Sequence, residues 1–226
     1  MIGCFVTGFA GISLSAETLR FTSSFSDLTQ CKFSSTGKNP YFPLIPGSES
    51  VFEGKEGREN VRLTITVLEK VKVINGIETR IVKERETHNG ELVEISRNYF
   101  ATCRKDNSVF YFGEETDIYD HGVIVSHEGS WQHGKNGAQA GLVMPGIVLL
   151  GSRFQQEVAP DVAMDRAEIV KTGLTVSTPA GQFGDTLKTK ESTPLEKNSV
   201  EFKWYAPNVG LIQDDTLKLV RFTPLR

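Results

Sequence analysis

Residues 61–67, Val61-Arg62-Leu63-Thr64-Ile65-Thr66-Val67, alternate apolar and polar side chains without a break. A period of two is typical of a β-strand that buries one face and exposes the other. The same parity continues through Val71 and Val73, so the strand is predicted to exceed the usual five or six residues. Because long strands twist and coil, a sheet built from them is expected to curl toward a half-barrel or a closed barrel.

Turn sequences after this strand indicate successive antiparallel hairpins. The form x-Asn-Gly, or the related Asp-His-Gly, stands at residues 74–76, 88–90 and 120–122. At the first turn a two-residue loop would pair Val73 with Glu78 and bury a charge, whereas a three-residue loop pairs Val73 with Ile77. We therefore expect three-residue bulged loops, and at the second turn such a loop would set Arg85 against Val93.

The remainder of the chain predicts further strands and at most one short helix. Strand-like runs cover residues 154–158, 168–176, 185–191, 200–205 and 217–222. Residues 129–147 are rich in glycine and predict a long loop or lid. Residues 161–171 are the only plausible helix, because Asp161, Asp165 and Glu168 would share one face. The expected fold class is mostly β, with a single, strongly curved antiparallel sheet.

Length and charge bound the classes of function. The chain has 226 residues, of which 38% are hydrophobic, and its formal net charge is −3. This composition is that of an ordinary globular protein and lacks the basic field that nucleic-acid binding needs. Residues 17–38 are rich in Ser and Thr and are interpreted as a flexible linker, and no linker interrupts the chain afterwards. We expect one β domain over residues 39–226.

The N-terminal segment predicts export. Residues 2–16 carry no charge, have about the length of a signal-peptide apolar region and end in small residues. Residues 1–16 are therefore predicted to be a signal peptide, which implies a secreted or periplasmic protein. Two alternatives stay open: a lipoprotein signal in which Cys4 is lipidated, giving an envelope-anchored protein, and a buried N-terminal strand or helix. The segment is too short for a transmembrane span.

Cleavage after Ala16 would leave two cysteines, Cys31 and Cys103. An exported pair can oxidise, and the resulting disulfide would close a long loop. Two unrelated thiols are an equally open interpretation. Neither cysteine has the spacing of a redox motif or of a structural zinc site, so neither chemistry is supported.

The chain contains, in this order, three recognisable stretches: Asn39-Pro-Tyr-Phe-Pro-Leu-Ile-Pro-Gly47, Thr178-Pro-Ala-Gly-Gln-Phe183 and Trp204-Tyr-Ala-Pro-Asn-Val-Gly-Leu-Ile212. As a set they resemble a group of uncharacterised secreted or periplasmic bacterial proteins and lipoproteins whose sheets look like the lipoprotein-carrier half-barrel. The resemblance implies a fold more than an activity and brings no catalytic residues. Asn208 departs from the pattern, in which glycine is usual. Because asparagine also tolerates left-handed backbone, the turn is still expected to form.

Familiar motifs for catalysis, metals and cofactors are not found. His127 and His133 stand six positions apart, which in a strand is about 20 Å and too far to share a zinc ion unless the chain folds back. Gly129-Ser130-Trp131 lacks the second glycine of a nucleophile elbow, and Gly134-Lys135-Asn136-Gly137 lacks the ending of a phosphate loop. We expect no metal site and no cofactor. Carboxylates leave a hydrolase or lyase open, which would need two convergent carboxylates of perturbed pKa.

An excess of aromatic side chains is the positive functional signal. The expected ligand-binding residues are Tyr41, Phe42, Tyr111, Trp131, Met144, Trp204 and Tyr205. The run Phe110-Tyr111-Phe112 is apolar on both faces of its strand, which indicates that something packs against each side of the sheet. A filled core explains this, and so does a lipid or other apolar small molecule inside the curl. We expect a non-catalytic binding protein, with a hydrolase or lyase and an envelope-associated scaffold as alternatives.

Overall fold

The structure is a computed structural model that describes residues 20–23 and 28–224. The predicted signal peptide, residues 1–16, and Cys4 lie outside the described residues. Within the described ranges the chain forms no α-helix. Its sixteen strands there are β1 (Phe33–Ser34), β2 (Glu49–Glu56), β3 (Glu59–Ile74), β4 (Ile77–His88), β5 (Glu91–Cys103), β6 (Val109–Asp120), β7 (Val123–Ser126), β8 (Trp131–Gln132), β9 (Gln139–Met144), β10 (Arg153–Gln155), β11 (Glu157–Val158), β12 (Arg166–Thr178), β13 (Gly181–Ser192), β14 (Glu201–Ala206), β15 (Gly210–Asp214) and β16 (Leu217–Thr223).

The strands form one antiparallel sheet that is nearly closed and barrel-shaped. Neighbouring strands follow the order β10, β12, β13, β14, β15, β16, β2, β3, β4, β5, β6, β9, β11, with β1 added on β5 and both β7 and β8 on β6. Strand β9 also contacts β10, so the two ends of this order approach each other. The single curved antiparallel sheet expected from the alternation is confirmed.

The first hairpin turn differs from the expected three-residue loop. Asn75 and Gly76 form a two-residue turn with φ of 47° and 79°. Positive φ at both central positions marks the turn whose twist matches that of the flanking strands. Val73 therefore pairs with Glu78, and the predicted register with Val73 opposite Ile77 is wrong. This pairing does not bury the charge of Glu78, because Val73 opposite it is 65% exposed.

The second hairpin shows the same difference. Its two turn residues have φ of 49° and 91°, and His88 pairs directly with Glu91. Arg85 lies opposite Ile95, so the predicted pairing with Val93 is wrong. A bulge after the turn supplies the extra residue that the prediction had placed inside the loop.

A bulge in β3 interrupts its pairing with β4. Residues 68–70 have no register partner on β4, yet Val67 opposite Val82 and Val71 opposite Arg80 keep the same parity on both sides of the bulge. Arg80 is buried beside this bulge. Its guanidinium donates hydrogen bonds to the carbonyl oxygens of Glu69 at 2.7 Å and Ser35 at 2.8 Å. These bonds compensate for burying the charge and give the bulge carbonyls a partner.

Two further sequence expectations are wrong. Residues 161–171 form no helix, because β12 begins at Arg166 and runs through the second half of that segment. Residues 129–147 are not one long loop, because they contain β8 and β9. A Cβ on Gly141 would collide with the carbonyl oxygen of Gln156, so this glycine permits the close approach of two backbones.

The sheet begins before Asn39. Strand β1 lies within the segment 17–38 that was interpreted as a linker, and it pairs antiparallel with β5. A disulfide joins Cys31 to Cys103 of β5, with the Cα atoms 5.5 Å apart. The N-terminal segment is thereby attached to the outside of the sheet.

The same segment explains why β6 is apolar on both faces. Phe33 packs edge-on against Phe110 and Phe112 of β6, with ring centroids 5.6 and 5.1 Å apart. Tyr111, between them, has the opposite orientation and lines the interior of the curl. Phe33 of β1 therefore covers the outer face of β6. The inner face of β6, which carries Tyr111, lines a cavity.

Candidate functional site

A cavity of about 280 Å³ lies inside the curled sheet, and we call it the barrel cavity. Strands β2 to β6 supply one side of it, and β13 to β16 supply the other. Its apolar lining includes Phe42, Pro43, Leu44, Phe52, Ile65, Val67, Val82, Phe100, Val143, Val209, Leu211 and Phe222. Its polar lining includes Ser48, Ser50, Glu84, Asn98, Tyr111, Glu114, Gln156, Glu157, Asp165, Glu191, Lys203, Tyr205 and Asp214.

Strand register carries acidic residues to the inner face. Residues two apart on a strand share a face, and Val82 and Glu84 of β4 are such a pair. Val82 lies opposite Asn98 of β5, and Asn98 lies opposite Glu114 of β6. The two carboxyl side chains thus face the interior from strands separated by one neighbour.

One part of the barrel cavity is aromatic. The rings of Phe42 and Phe100 are 4.9 Å apart, and Phe100 stacks on Tyr111 with centroids 4.6 Å apart. The Tyr111 hydroxyl donates a hydrogen bond to Asn98 Oδ1 at 2.5 Å. Because its hydroxyl is satisfied within the wall, this aromatic surface is suited to the apolar part of a ligand.

The other part of the barrel cavity is acidic. Its lining contains six carboxyl side chains, Glu84, Glu114, Glu157, Asp165, Glu191 and Asp214. Lys203 is the one cationic residue among the lining residues described. An interior with such an excess of carboxyls over cations is expensive to ionise fully, because like charges repel and burial removes their water.

Lys203 holds two of these carboxylates. Its Nζ lies 3.3 Å from Glu191 Oε2 and 3.4 Å from Asp214 Oδ2. Burial acts to lower the pKa of Lys203, but Asp214 and Glu191 outweigh that effect and hold it well above the ordinary value. Glu191 Oε1 also accepts hydrogen bonds from Thr189 Oγ1 at 3.0 Å and Gln156 Nε2 at 3.1 Å. These three charged groups form a satisfied structural cluster.

Within the described part of the chain, no cationic side chain forms an ion pair with Glu84 or Glu114. Burial raises the pKa of Glu84 to about 7 against the opposing effect of the Lys203 charge, and the neighbouring Glu114 adds to the rise. Burial and the charge of Glu94 raise the pKa of Glu114 to about 7 as well. Both carboxyls are therefore partly protonated near neutral pH, so they can donate, accept or release a proton there.

Glu157 is a third carboxyl of the barrel cavity whose pKa is raised. Burial, with the nearby charge of Asp165, raises the pKa of Glu157 well above its ordinary value. An interaction with the indole of Trp131 acts in the opposite direction. Burial thus opposes the ionisation of Glu157.

Gln156 leaves one buried hydrogen-bond acceptor unused. Its side chain is 6% exposed, and its Nε2 donates to Glu191. Its Oε1 accepts no hydrogen bond from any described residue. An unpaired buried acceptor costs about 1–3 kcal/mol. A hydrogen-bond donor brought into the barrel cavity would remove that cost.

The structure brings part of the predicted ligand-binding set to this cavity. Phe42, Tyr111 and Tyr205 line it. Trp131 packs edge-on against Tyr111 with centroids 5.3 Å apart, and it lines a second cavity of about 250 Å³. Glu114 lines both cavities.

Three other members of that set lie elsewhere. Met144 is fully buried in the core. Trp204 does not line the barrel cavity, and Lys188 Nζ lies 4.4 Å from its ring centroid. The Tyr41 hydroxyl donates a hydrogen bond to the carbonyl oxygen of Asp185 at 3.0 Å, which ties down the segment before the cavity.

Sequence reasoning missed the acidic lining. The signal that could have found it was parity, because Glu84 stands two residues after the buried Val82 and Lys203 stands two residues before the buried Tyr205. Charged residues in amphipathic strands normally face water. Charges that share the parity of buried residues indicate a polar interior.

A separate group of potential metal ligands lies outside the barrel cavity. Ligand atoms of Glu56, Glu86 and His88 lie within 4.8 Å of one another. His88 Nδ1 is 2.8 Å from Glu59 Oε2, and its Nε2 is 2.7 Å from Glu86 Oε1. Burial acts to lower the pKa of His88, but these two carboxylates outweigh it and raise the pKa. Both ring nitrogens are thus already engaged.

The histidines whose spacing was considered for zinc have separate partners. His127 Nδ1 lies 2.9 Å from the carbonyl oxygen of Thr116. His133 Nδ1 accepts a hydrogen bond from the amide of Ala140 at 3.1 Å. Neither belongs to the group of potential metal ligands found among the described residues.

Comparison with known proteins leaves the barrel cavity as the main guide to function. The chain matches no family model, no curated protein and no solved structure. Across the described ranges, no helix has the length and apolar character needed to cross a membrane.

Proposed function

We propose that the protein binds a small amphipathic molecule inside the curled sheet. The observation that carries this proposal is the barrel cavity itself, whose lining is aromatic in one part and hydrogen-bonding in another. Ligand sites are typically concave, mostly apolar and equipped with a few convergent polar groups. The apolar body of the ligand would contact Phe42 and Phe100, and its polar end would face Glu84 and Glu114.

The size and chemistry of the cavity refine the expectation of a lipid or other apolar ligand. A volume of about 280 Å³ is at the lower end of ligand pockets and suits a small molecule with one short chain or ring better than a large lipid. A purely apolar ligand would leave Gln156 Oε1 without a hydrogen-bond donor and would give Glu84 and Glu114 no countercharge, at a cost in free energy. An amphipathic ligand satisfies both parts of the wall.

A secreted or periplasmic location is the setting we propose for this binding. The uncharged segment 2–16 supports export, and the disulfide between Cys31 and Cys103 is the kind of bond that persists in oxidising compartments. The resemblance to lipoprotein-carrier half-barrels agrees with a binding protein of the cell envelope.

The binding proposal is tested by filling the barrel cavity with a large side chain. Ser50→Trp places a large side chain in the cavity wall, whereas Lys55→Trp places the same residue at an exposed position of the same strand. A fluorescent amphiphile that brightens in an apolar site should bind the wild type and Lys55→Trp, and should bind Ser50→Trp at least about tenfold more weakly. Equal binding by all three proteins, or none by the wild type, would contradict the proposal and leave the scaffold role.

An acid–base hydrolase or lyase is the second candidate. The observation that favours it is the pair Glu84 and Glu114, both with a pKa of about 7 in one cavity. Carboxyls tuned to the working pH are the groups that general acid–base catalysis uses. Turnover of activated esters or glycosides that falls about 100-fold in Glu84→Gln and Glu114→Gln would support this candidate. Tight binding of a ligand that is recovered unchanged would favour the binding protein.

A further inference from the structure

We infer that the acidic part of the barrel cavity recognises a cationic nitrogen, so that the ligand class is a small organic ammonium ion with an apolar body. This inference deepens the binding function proposed above and rests on it. It is carried by the charge balance of the lining, by an unused buried acceptor and by the aromatic wall beside the carboxyls.

The charge balance leaves two carboxyls of the cavity without a cation in direct contact, although the charge of Lys203 acts on Glu84 from farther away. Lys203 is paired with Glu191 and Asp214 at 3.3 and 3.4 Å. Among the described residues, no ion pair reaches Glu84 or Glu114, although both line the same cavity. An anionic ligand would be repelled there, whereas a cation would supply the missing countercharge.

The hydrogen-bonding groups also call for a donor. Gln156 Oε1 is buried in the lining and accepts no hydrogen bond from the residues that the structure describes. The side chains of Glu84 and Glu114 act only as acceptors once they are ionised. An ammonium group offers up to three N–H donors and no acceptor. It therefore matches this set of acceptors better than a hydroxyl or a carboxylate does.

The geometry favours an organic cation over a bare metal ion. Metal ligands converge on one point, and among the described residues the convergent group within 4.8 Å is Glu56, Glu86 and His88, outside the barrel cavity. The carboxyls of the barrel cavity are instead distributed around it, with an aromatic wall formed by Phe42 and Phe100 beside them. Such a site can hold a charged head and an apolar body together.

Three ligands of one chain length test the head group. Octylammonium, 1-octanol and octanoate would be titrated into the oxidised protein at pH 8 by calorimetry, below their micelle concentrations. Octylammonium should bind at least about tenfold more tightly than 1-octanol, because hydrogen bonds to charged groups are the stronger ones. Octanoate should bind more weakly than either.

Two variants test whether the carboxyls of Glu84 and Glu114 bind the ammonium group. Glu84→Gln and Glu114→Gln should each weaken octylammonium binding about tenfold and leave 1-octanol binding unchanged. Glu91→Gln, the same change at an exposed position of β5, should leave both affinities unchanged. Binding of 1-octanol also reports whether a variant retains its cavity. If a variant has lost the cavity, the comparison of the three ligands on the wild type still tests the ammonium assignment.

The possible failures are distinguishable. Equal affinities for octylammonium and 1-octanol, or tightest binding of octanoate, would overturn the ammonium assignment while the binding function stands. No binding of any of the three ligands would overturn the ammonium assignment and the proposed function together.

Discussion

Glu84→Gln should remove part of the pH dependence of the stability of this protein. The folded state raises the pKa of this carboxyl from the ordinary 4.5 to about 7, chiefly because the group is buried. The folded protein therefore keeps a proton that the unfolded chain has released. The stabilising effect of this proton is complete below about pH 4.5 and is lost as the pH rises through 7.

The size of the effect follows from the displacement of the pKa. A rise from 4.5 to about 7 corresponds to about 3 kcal/mol of unfolding free energy. About 2–3 kcal/mol of this falls between pH 5 and pH 8. Glutamine is neutral throughout, so the unfolding free energy of Glu84→Gln should fall less over this interval than that of the wild type.

Urea unfolding of the oxidised proteins at pH 5, 6, 7 and 8 measures this difference. Glu91→Gln is the matched control, because it removes a carboxyl from an exposed position, and it should follow the wild type. A Glu84→Gln variant whose unfolding free energy changes with pH as steeply as that of the wild type would refute the assignment of a proton-bearing carboxyl in the cavity wall.

Three other substitutions test what holds the cavity walls in place. Replacing Cys31 and Cys103 by serine should lower the unfolding free energy by about 4 kcal/mol, since the bond spans a sequence separation of 72; an unchanged urea midpoint would contradict this. Arg80→Met should cost about 3 kcal/mol because it leaves buried carbonyls without donors, and wild-type stability would show that the bulge needs no donor. Gly141→Ala should cost about 2 kcal/mol and weaken ligand binding, because its Cβ would collide with the carbonyl oxygen of Gln156 in the cavity wall; calorimetry that finds neither change would count against this packing.

The curvature and the antiparallel order were predictable because they depend on local signals. Unbroken alternation over residues 61–67 predicts a long amphipathic strand, and the Asn-Gly sequences after it predict hairpins, both of which the structure contains. The register was not predictable from alternation, since the two-residue turn places Val73 opposite Glu78 at an exposed tip and a bulge at residues 68–70 interrupts the pairing of β3 with β4. That bulge is accompanied by hydrogen bonds from Arg80, a long-range contact that no local pattern reveals.

The site was predictable in its aromatic half only. Phe42, Tyr111 and Tyr205 line the barrel cavity as a search for excess aromatic residues suggests. Such a search considers only aromatic side chains, so it missed the charged residues Glu84 and Lys203. Each of them stands two positions from a buried residue on its strand and therefore shares its face. Which charges meet in the interior depends on the strand order across the whole barrel, and the sequence pattern of one strand does not contain that order.

The most direct measurement is a titration of the carboxyl groups of Glu84 and Glu114 by carbon-13 NMR, assigned with the two glutamine variants. In the free protein both should titrate with midpoints near pH 7, and both midpoints should fall when octylammonium is added. Midpoints near the ordinary 4.5 that do not respond to octylammonium would contradict an acidic cavity built to hold a cation.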